Sequence, residues 1–296
     1  MSEAKWTGPQ GPGKILKAAN PLKPRIVITI VLFLGALVFL FPFYFMFLGS
    51  FKTTGEIFSM KILNLPKNGF HLTNYIGLFG KSKFGTSLLN STIVSVSYIV
   101  LILFLSSLAG FAFAKYPFPG RSWLFVLLLA SIMIPPQVLY IPLYMLMARV
   151  GWISSYQALV LPRLLQGFGL AFTIFLMRQY MAYVPDALLD SGRVDGCREF
   201  RIYWQIALPL VKAGLLVVTM IVFMDIWNDF MWPLIVTSKL EMYTVSLNIS
   251  RLFGTQREVE WGQIMAACFM SSLPLIFIFL VFRKTFISGI AQGAFK

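Results

Sequence analysis

Ionisable side chains set in apolar sequence are the first residues of this chain that can do chemistry, because a charge in hydrocarbon is costly and needs a reason to be there. Arg163 and Gln166 interrupt one apolar stretch, from about Gln157 to Tyr180. Asp225, Asn228, Asp229 and Trp232 lie in another, from about Pro209 to Thr237. Asp225 and Asp229 are four residues apart, so a helix puts them on one face with Asn228 adjacent. Two readings stay open. In one, these carboxylates and amides line a water-filled path and bond a polar solute. In the other they are structural, with Asp229 at the interface beside Trp227 and Trp232 or paired with Arg163.

The most charged window is Met181–Leu208, MAYVPDALLDSGRVDGCREFRIYWQIAL. Asp186, Asp190, Asp195 and Glu199 alternate there with Arg193, Arg198 and Arg201. Pro185 suits a helix start, and Asp186 complements the free first-turn N–H groups. Leu188, Leu189 and Val194 predict a short amphipathic helix that Gly196 ends. Phe200, Tyr203, Trp204 and Ile206 predict a second helix running to Pro209. Such a helix–Gly–helix element is either a connector lying on the membrane surface or a dock for a partner.

Other patterns carry no chemistry. Gly8-Pro9-Gln10-Gly11-Pro12-Gly13-Lys14 has the spacing of a phosphate loop. It lacks the preceding strand and the Ser or Thr after the lysine, and its prolines remove two N–H donors. ATP hydrolysis is therefore not expected on this chain. The one histidine, His71, has no second imidazole to share a metal, so no metal site is predicted. Cys197 and Cys268 fall in regions assigned to different compartments and support no disulfide. The sequons at Asn90 and Asn248 are frequent by chance.

These residues must be positioned by membrane spans. The chain has 296 residues, 58% of them hydrophobic, with 29 phenylalanines. Only 12% are charged, against roughly 25% in soluble domains. A globular core of this size does not hide so much apolar surface, so a soluble enzyme, a disordered chain and a nucleic-acid binder are disfavoured despite the net charge of +14. Ile26–Phe51, Phe84–Ala114, Ser122–Ala148 and Trp261–Phe282 contain no charged residue. Each exceeds the ~20 residues that cross a bilayer as a helix. With the two interrupted stretches they predict an all-α polytopic protein of six helices, at about 26–50, 87–114, 122–147, 157–180, 209–236 and 262–283. A basic tail (1–25) precedes this 26–283 domain, a loop (181–208) joins helices four and five, and a tail (284–296) follows. The first helix is too long for a signal-peptide core and is read as a retained span. Pro42, Pro135-Pro136 and Pro233 predict kinks. Cytoplasmic termini leave 15 Lys and Arg on the inner side against 9 outside, five of the latter (Lys52, Lys61, Lys67, Lys81 and Lys83) in the first external loop.

Asp190-Ser191-Gly192, three residues, Gly196, nine residues, Ile206, one residue and Leu208-Pro209 resemble the E-A-A-x₃-G-x₉-I-x-L-P loop of importer-type ABC permeases. The first triplet departs from that pattern while the spacing matches. Ala114–Gly120 (AKYPFPG) is similar to the A-[RK]-x-x-F-x-G connector of the carbohydrate-uptake branch. Trp227–Leu234 (WNDFMWPL) resembles its W-N-[DE]-F-x-W-P-L stretch, and Phe286–Lys296 (FISGIAQGAFK) its C-terminal tail. The likeness runs from about Ile26 to Lys296 and points to permeases related to the inner-membrane subunits of the maltose importer.

The resemblance implies a multi-pass subunit of the bacterial inner membrane, in a heterodimer with a second permease chain. Two ATP-binding subunits would carry ATP and Mg²⁺, and an extracytoplasmic solute-binding protein would deliver a carbohydrate. Asp190, Ser191, Gly192, Asp195, Gly196, Glu199, Phe200, Ile206, Leu208 and Pro209 would then couple to the ATPase. Arg163, Gln166, Asp225, Asn228, Asp229 and Trp232 would lie on the pathway, where carboxylates bond sugar hydroxyls. The lysine-rich external loop favours an anionic cargo, a uronate oligomer or a sugar or polyol phosphate. The alternative is an ion- or proton-coupled secondary transporter using Asp225, Asp229 and Arg163.

Overall fold

The computed structural model describes residues 22–59, 65–66, 69–70, 72–254 and 259–294, and all regular structure among them is helical. Gly8–Lys14 and His71 lie outside the described residues. The chain divides into two compact units, 1–45 and 46–296. The described part of the first is most of helix α1 (Leu22–Gly49), uncharged from Ile26 onward and apolar on every side, as a lipid-facing span must be.

In the second unit two short helices, α2 (Thr54–Ile57) and α3 (Thr73–Gly80), precede the spine of the fold, α4 (Phe84–Lys115). Thr53 and Glu56 close a capping box on α2, which satisfies backbone donors that a short helix leaves free. Helix α4 buries Ser87, Asn90, Ser91, Ser95, Ser106, Ser107 and Gly110. Small residues let helices approach closely when no water drives them together. At Gly110 an added Cβ would lie 2.8 Å from the Arg178 backbone nitrogen, so the helix holding Arg178 crosses in near backbone contact. Both sequon asparagines are used internally. Asn90 donates to the Glu241 and Tyr243 carbonyls, and Asn248 to the Ser82 carbonyl and the Ser87 hydroxyl.

The remaining helices are α5 (Arg121–Ser131), α6 (Pro136–Arg149), α7 (Tyr156–Leu164), α8 (Gly167–Ala182), α9 (Asp186–Val194), α10 (Glu199–Ile202), α11 (Leu208–Leu210), α12 (Lys212–Trp227), α13 (Met231–Val236), α14 (Val245–Gly254) and α15 (Trp261–Ala294). Among the described residues three helices are long and apolar enough to cross a membrane, within α1, α4 and α15, and three bent pairs pass that test together.

The kink expected at Pro135-Pro136 is present and sharp, whereas the two interrupted stretches break at points that no proline marked. Helices α5 and α6 meet at 93°, because Pro136 forces Pro135 into extended backbone. Helices α7 and α8 meet at 54°, across an extended Gln166. The 199–210 segment meets α12 at 79°, and the chain breaks again at Asn228–Phe230 before α13. Pro233 falls in the first turn of α13, where a missing N–H costs nothing. Helix α15 continues past 283 to Ala294, so the expected tail boundary is not a helix end.

Candidate functional site

Two of these breaks build the first site. Arg163 occupies the last turn of α7, and its Nη1 donates to Asp229 Oδ2 at 2.8 Å while its Nη2 donates to Asp225 Oδ2. Asp225 is on α12, but that helix ends at Trp227. The two aspartates therefore do not share a helix face, as their spacing predicts, and the guanidinium joins them instead. Asp229 Oδ1 also accepts the Trp232 backbone N–H at 3.5 Å, and the Tyr98 hydroxyl donates to the Arg163 carbonyl at 3.4 Å. The side chains of Arg163 and Asp229 are each 9% exposed, that of Asp225 42%.

The exposed edge of Asp225 opens on a cleft of about 550 Å³ that Arg163, Gln166, Asn228 and Asp229 also line. Gln166 is buried, and its Nε2 has no hydrogen-bond partner among the described residues. Asn228 turns its amide back to the Met224 carbonyl at 2.7 Å. Trp232 does not line the cleft. It is fully buried and donates from Nε1 to the Ala158 carbonyl at 2.8 Å, tying α13 to α7. Tyr98, Pro136, Tyr140, Gly169, Met224, Phe230 and Met231, absent from the predicted site, complete the wall. Uncharged residues in apolar spans carry no signal that distinguishes a lining residue from a packed one.

The second site is the charged loop. Helix α9 ends at Val194, and Gly196 follows at φ +76°, a left-handed conformation that costs glycine little and other residues more. Only Leu189 and Gly192 of α9 are buried. Val194, expected on the inner face with Leu188 and Leu189, is 88% exposed, and Leu188 is exposed as well. A Cβ on Gly192 would stand 2.9 Å from Ile206 Cδ1 and 3.3 Å from Ile202 Cγ1, so α9 lies close against the returning chain. That chain is α10 followed by a wide π turn over Tyr203–Ala207, and Pro209 has no N–H to continue the normal ladder. Tyr203 is buried, its hydroxyl 2.7 Å from that of Ser107. Ile206 and Leu208 are half-buried, and Pro209 is exposed.

One ion pair and one hydrogen bond fasten this element to the C-terminal end of α4 and the residue after it. Lys115 Nζ pairs with Asp186 at 2.8 Å and donates to the Val184 carbonyl at 2.5 Å. Arg193 bonds Asp190 at 2.7 Å and Glu199 at 2.9 Å, and the Tyr116 hydroxyl donates to the same Glu199 carboxylate. The Arg193 hydrogen bond, aided by that of Tyr116, holds the Glu199 carboxyl below its ordinary range. Its bonds to Glu199 and Asp190 raise the Arg193 guanidinium, and burial raises the Tyr116 phenol first, the Glu199 bond next. Lys115 and Tyr116 are functional neighbours that the loop sequence alone does not reveal. Their position beside the AKYPFPG connector is the available signal.

The outward face of the element is left free. Ser191, Asp195, Gly196 and Phe200 are exposed on it, and Phe200 stacks on Trp204 with centroids 6.4 Å apart. In the external loop, Lys83 is paired with Glu241 at 3.1 Å and Lys52 is buried, while Lys61 and Lys67 lie outside the described residues. The described residues hold no His/Cys/Asp/Glu group able to bind a metal, and Cys197 and Cys268 are free thiols.

Comparison with known proteins agrees with this architecture. Over 92% of this chain and 96% of theirs, residues are 35% identical to the arabinooligosaccharides transport system permease protein AraQ of Bacillus subtilis. Identity is 30% to the sn-glycerol-3-phosphate transport system permease protein UgpE of Yersinia pestis, over 89% of this chain and 95% of the relative. A chain of a bacterial ABC transporter crystal structure, described as involved in import of the acidic polysaccharide alginate, superposes with TM-score 0.76 over 89% of this chain and 96% of that one. At 21% identity that likeness speaks for the fold. Residues 102–292, spanning both the intramembrane cluster and the charged loop, match the family described as binding-protein-dependent transport system inner membrane component, and the chain belongs to that family as a permease of the inner membrane.

Proposed function

We propose that this chain is one of two permease subunits of an ATP-driven importer that moves a carbohydrate inward. It would cross the membrane six times, each bent pair being one span, with both termini cytoplasmic. Two ATP-binding subunits would hold ATP and Mg²⁺, and an extracytoplasmic binding protein would deliver the cargo. The observation that carries this reading is the 186–210 element. It is tied inward by the Lys115–Asp186 ion pair and the Tyr116–Glu199 hydrogen bond, yet presents exposed Asp195, Phe200 and Trp204 outward. An anchored element with an unpaired apolar-and-charged face transmits motion between a partner below and helices above. The named relatives that move arabinooligosaccharides and glycerol phosphate support a polyhydroxylated cargo.

The test is reconstitution with the partner permease, ATPases and binding protein in proteoliposomes. Uptake is expected to need ATP and to stop with vanadate. Uptake driven by an ion gradient without ATP would instead favour a secondary transporter. Gly196→Pro, incompatible with φ +76°, is expected to leave membrane insertion intact and to uncouple hydrolysis from transport. Normal transport by this variant would overturn the coupling assignment.

A further inference from the structure

We infer that the cleft beside the Arg163–Asp225–Asp229 cluster is a hydroxyl-binding subsite that accepts uncharged polyols and sugars and rejects carboxylates and phosphates; the inference rests on the carbohydrate reading and narrows it. The charges facing the cleft are one guanidinium and two carboxylates, a formal excess of one negative charge. They are not equally available. Arg163 is buried and gives one guanidinium hydrogen bond to each aspartate, whereas Asp225 keeps an exposed edge. What a solute meets is therefore an acceptor.

A second, independent group faces the same space. Gln166 lines the cleft, and its buried amide nitrogen has no hydrogen-bond partner among the described residues. A buried donor left unpaired is costly, and an acceptor on a bound solute relieves that cost. An alcohol is both donor and acceptor, and two neighbouring hydroxyls satisfy Asp225 and Gln166 together. A carboxylate or phosphate is acceptor-only at neutral pH. It answers Gln166 but meets the Asp225 carboxylate with no proton between them, in a setting where water screens poorly. Tyr140, Met224 and Met231 supply apolar wall against which a sugar's C–H face packs. At about 550 Å³ the cleft has the size of ordinary small-ligand sites. The positive external loop, which alone suggests an anionic cargo, is partly consumed by the Lys83–Glu241 pair.

The experiment uses the complete reconstituted importer and three probes of different charge class: arabinotriose, digalacturonate and sn-glycerol 3-phosphate. Neutral arabinotriose is expected to be taken up at least tenfold faster than either anion. Asp225→Asn and Gln166→Leu are each expected to lower arabinotriose uptake about tenfold, the value of one hydrogen bond involving a charged or buried group. Co-purification of all subunits confirms assembly, and Gln166→Leu, outside the ion cluster, guards against misfolding of the Asp225 variant. Equal uptake of an anion by the unaltered protein, or undiminished arabinotriose uptake by both variants, would overturn the subsite while leaving the carbohydrate reading in place. Uptake of none of the three probes, with ATP-dependent import of some other solute class, would overturn the carbohydrate reading and the subsite with it.

Discussion

Arg163 is the residue whose removal has the largest expected effect. It neutralises two carboxylates where hydration is scarce, and breaking such a pair costs about 3–5 kcal/mol. Arg163→Leu is expected to reduce the amount of folded protein in the membrane more than tenfold, measured by fluorescence-detected size exclusion of a tagged chain. Because the loss comes from uncompensated charge, Asp225→Asn with Asp229→Asn in the same chain is expected to restore most of it. Failure of that rescue would mean that the geometry of the pair, not its charge, holds the breaks together. Arg193 is different, because its partners are largely exposed. Exposed pairs contribute about 0.2–1 kcal/mol each, so Arg193→Ala is expected to raise amide exchange of the 186–202 segment only about fivefold. Glu199 titrates below the ordinary glutamate value of about 4.3. Its contribution to holding this segment is thus complete above that value and is lost as pH falls through the lower folded-state value. Protection of the 186–202 amides, measured relative to their intrinsic exchange rate at each pH, is expected to be flat across neutral and mildly acidic pH.

At the scale of elements, broken helices do the positioning. The Gln166 break places a free amide beside Arg163, and the Asn228–Phe230 break frees Asp229 from helical register so that Arg163 reaches both aspartates. The charged-loop element depends instead on close packing of α9 against the chain that follows. Gly192→Val puts branched bulk where Ile202 and Ile206 already stand. Overpacking of this kind costs about 1–3 kcal/mol. This variant is expected to keep full membrane levels and to lose ATPase co-purification, because it displaces α9 without disturbing the spans. Co-purification equal to the unaltered chain would show that the close approach is not needed for docking.

At the scale of the whole molecule, the proposed six-span arrangement with cytoplasmic termini makes a directional statement about one thiol. With Cys268→Ser to remove the other cysteine, Cys197 is expected to react with a membrane-impermeant maleimide in inside-out vesicles and not in right-side-out ones. The reverse pattern would invert the topology. The sequence by itself determined that the chain is a helical membrane protein, where its charged loop lies and which family it resembles. Composition, span length and motif spacing are local properties, and hydrocarbon leaves the backbone few choices. Only the tertiary structure decided that the chain breaks at Gln166 and at Asn228–Phe230, that Asp229 leaves the face of Asp225, that Val194 points outward, and that Lys115 and Tyr116 clasp the loop. Those outcomes depend on which side chain finds a partner across a helix pair. Arg163 and Asp229 are separated by 66 residues, and no spacing along the chain encodes that meeting.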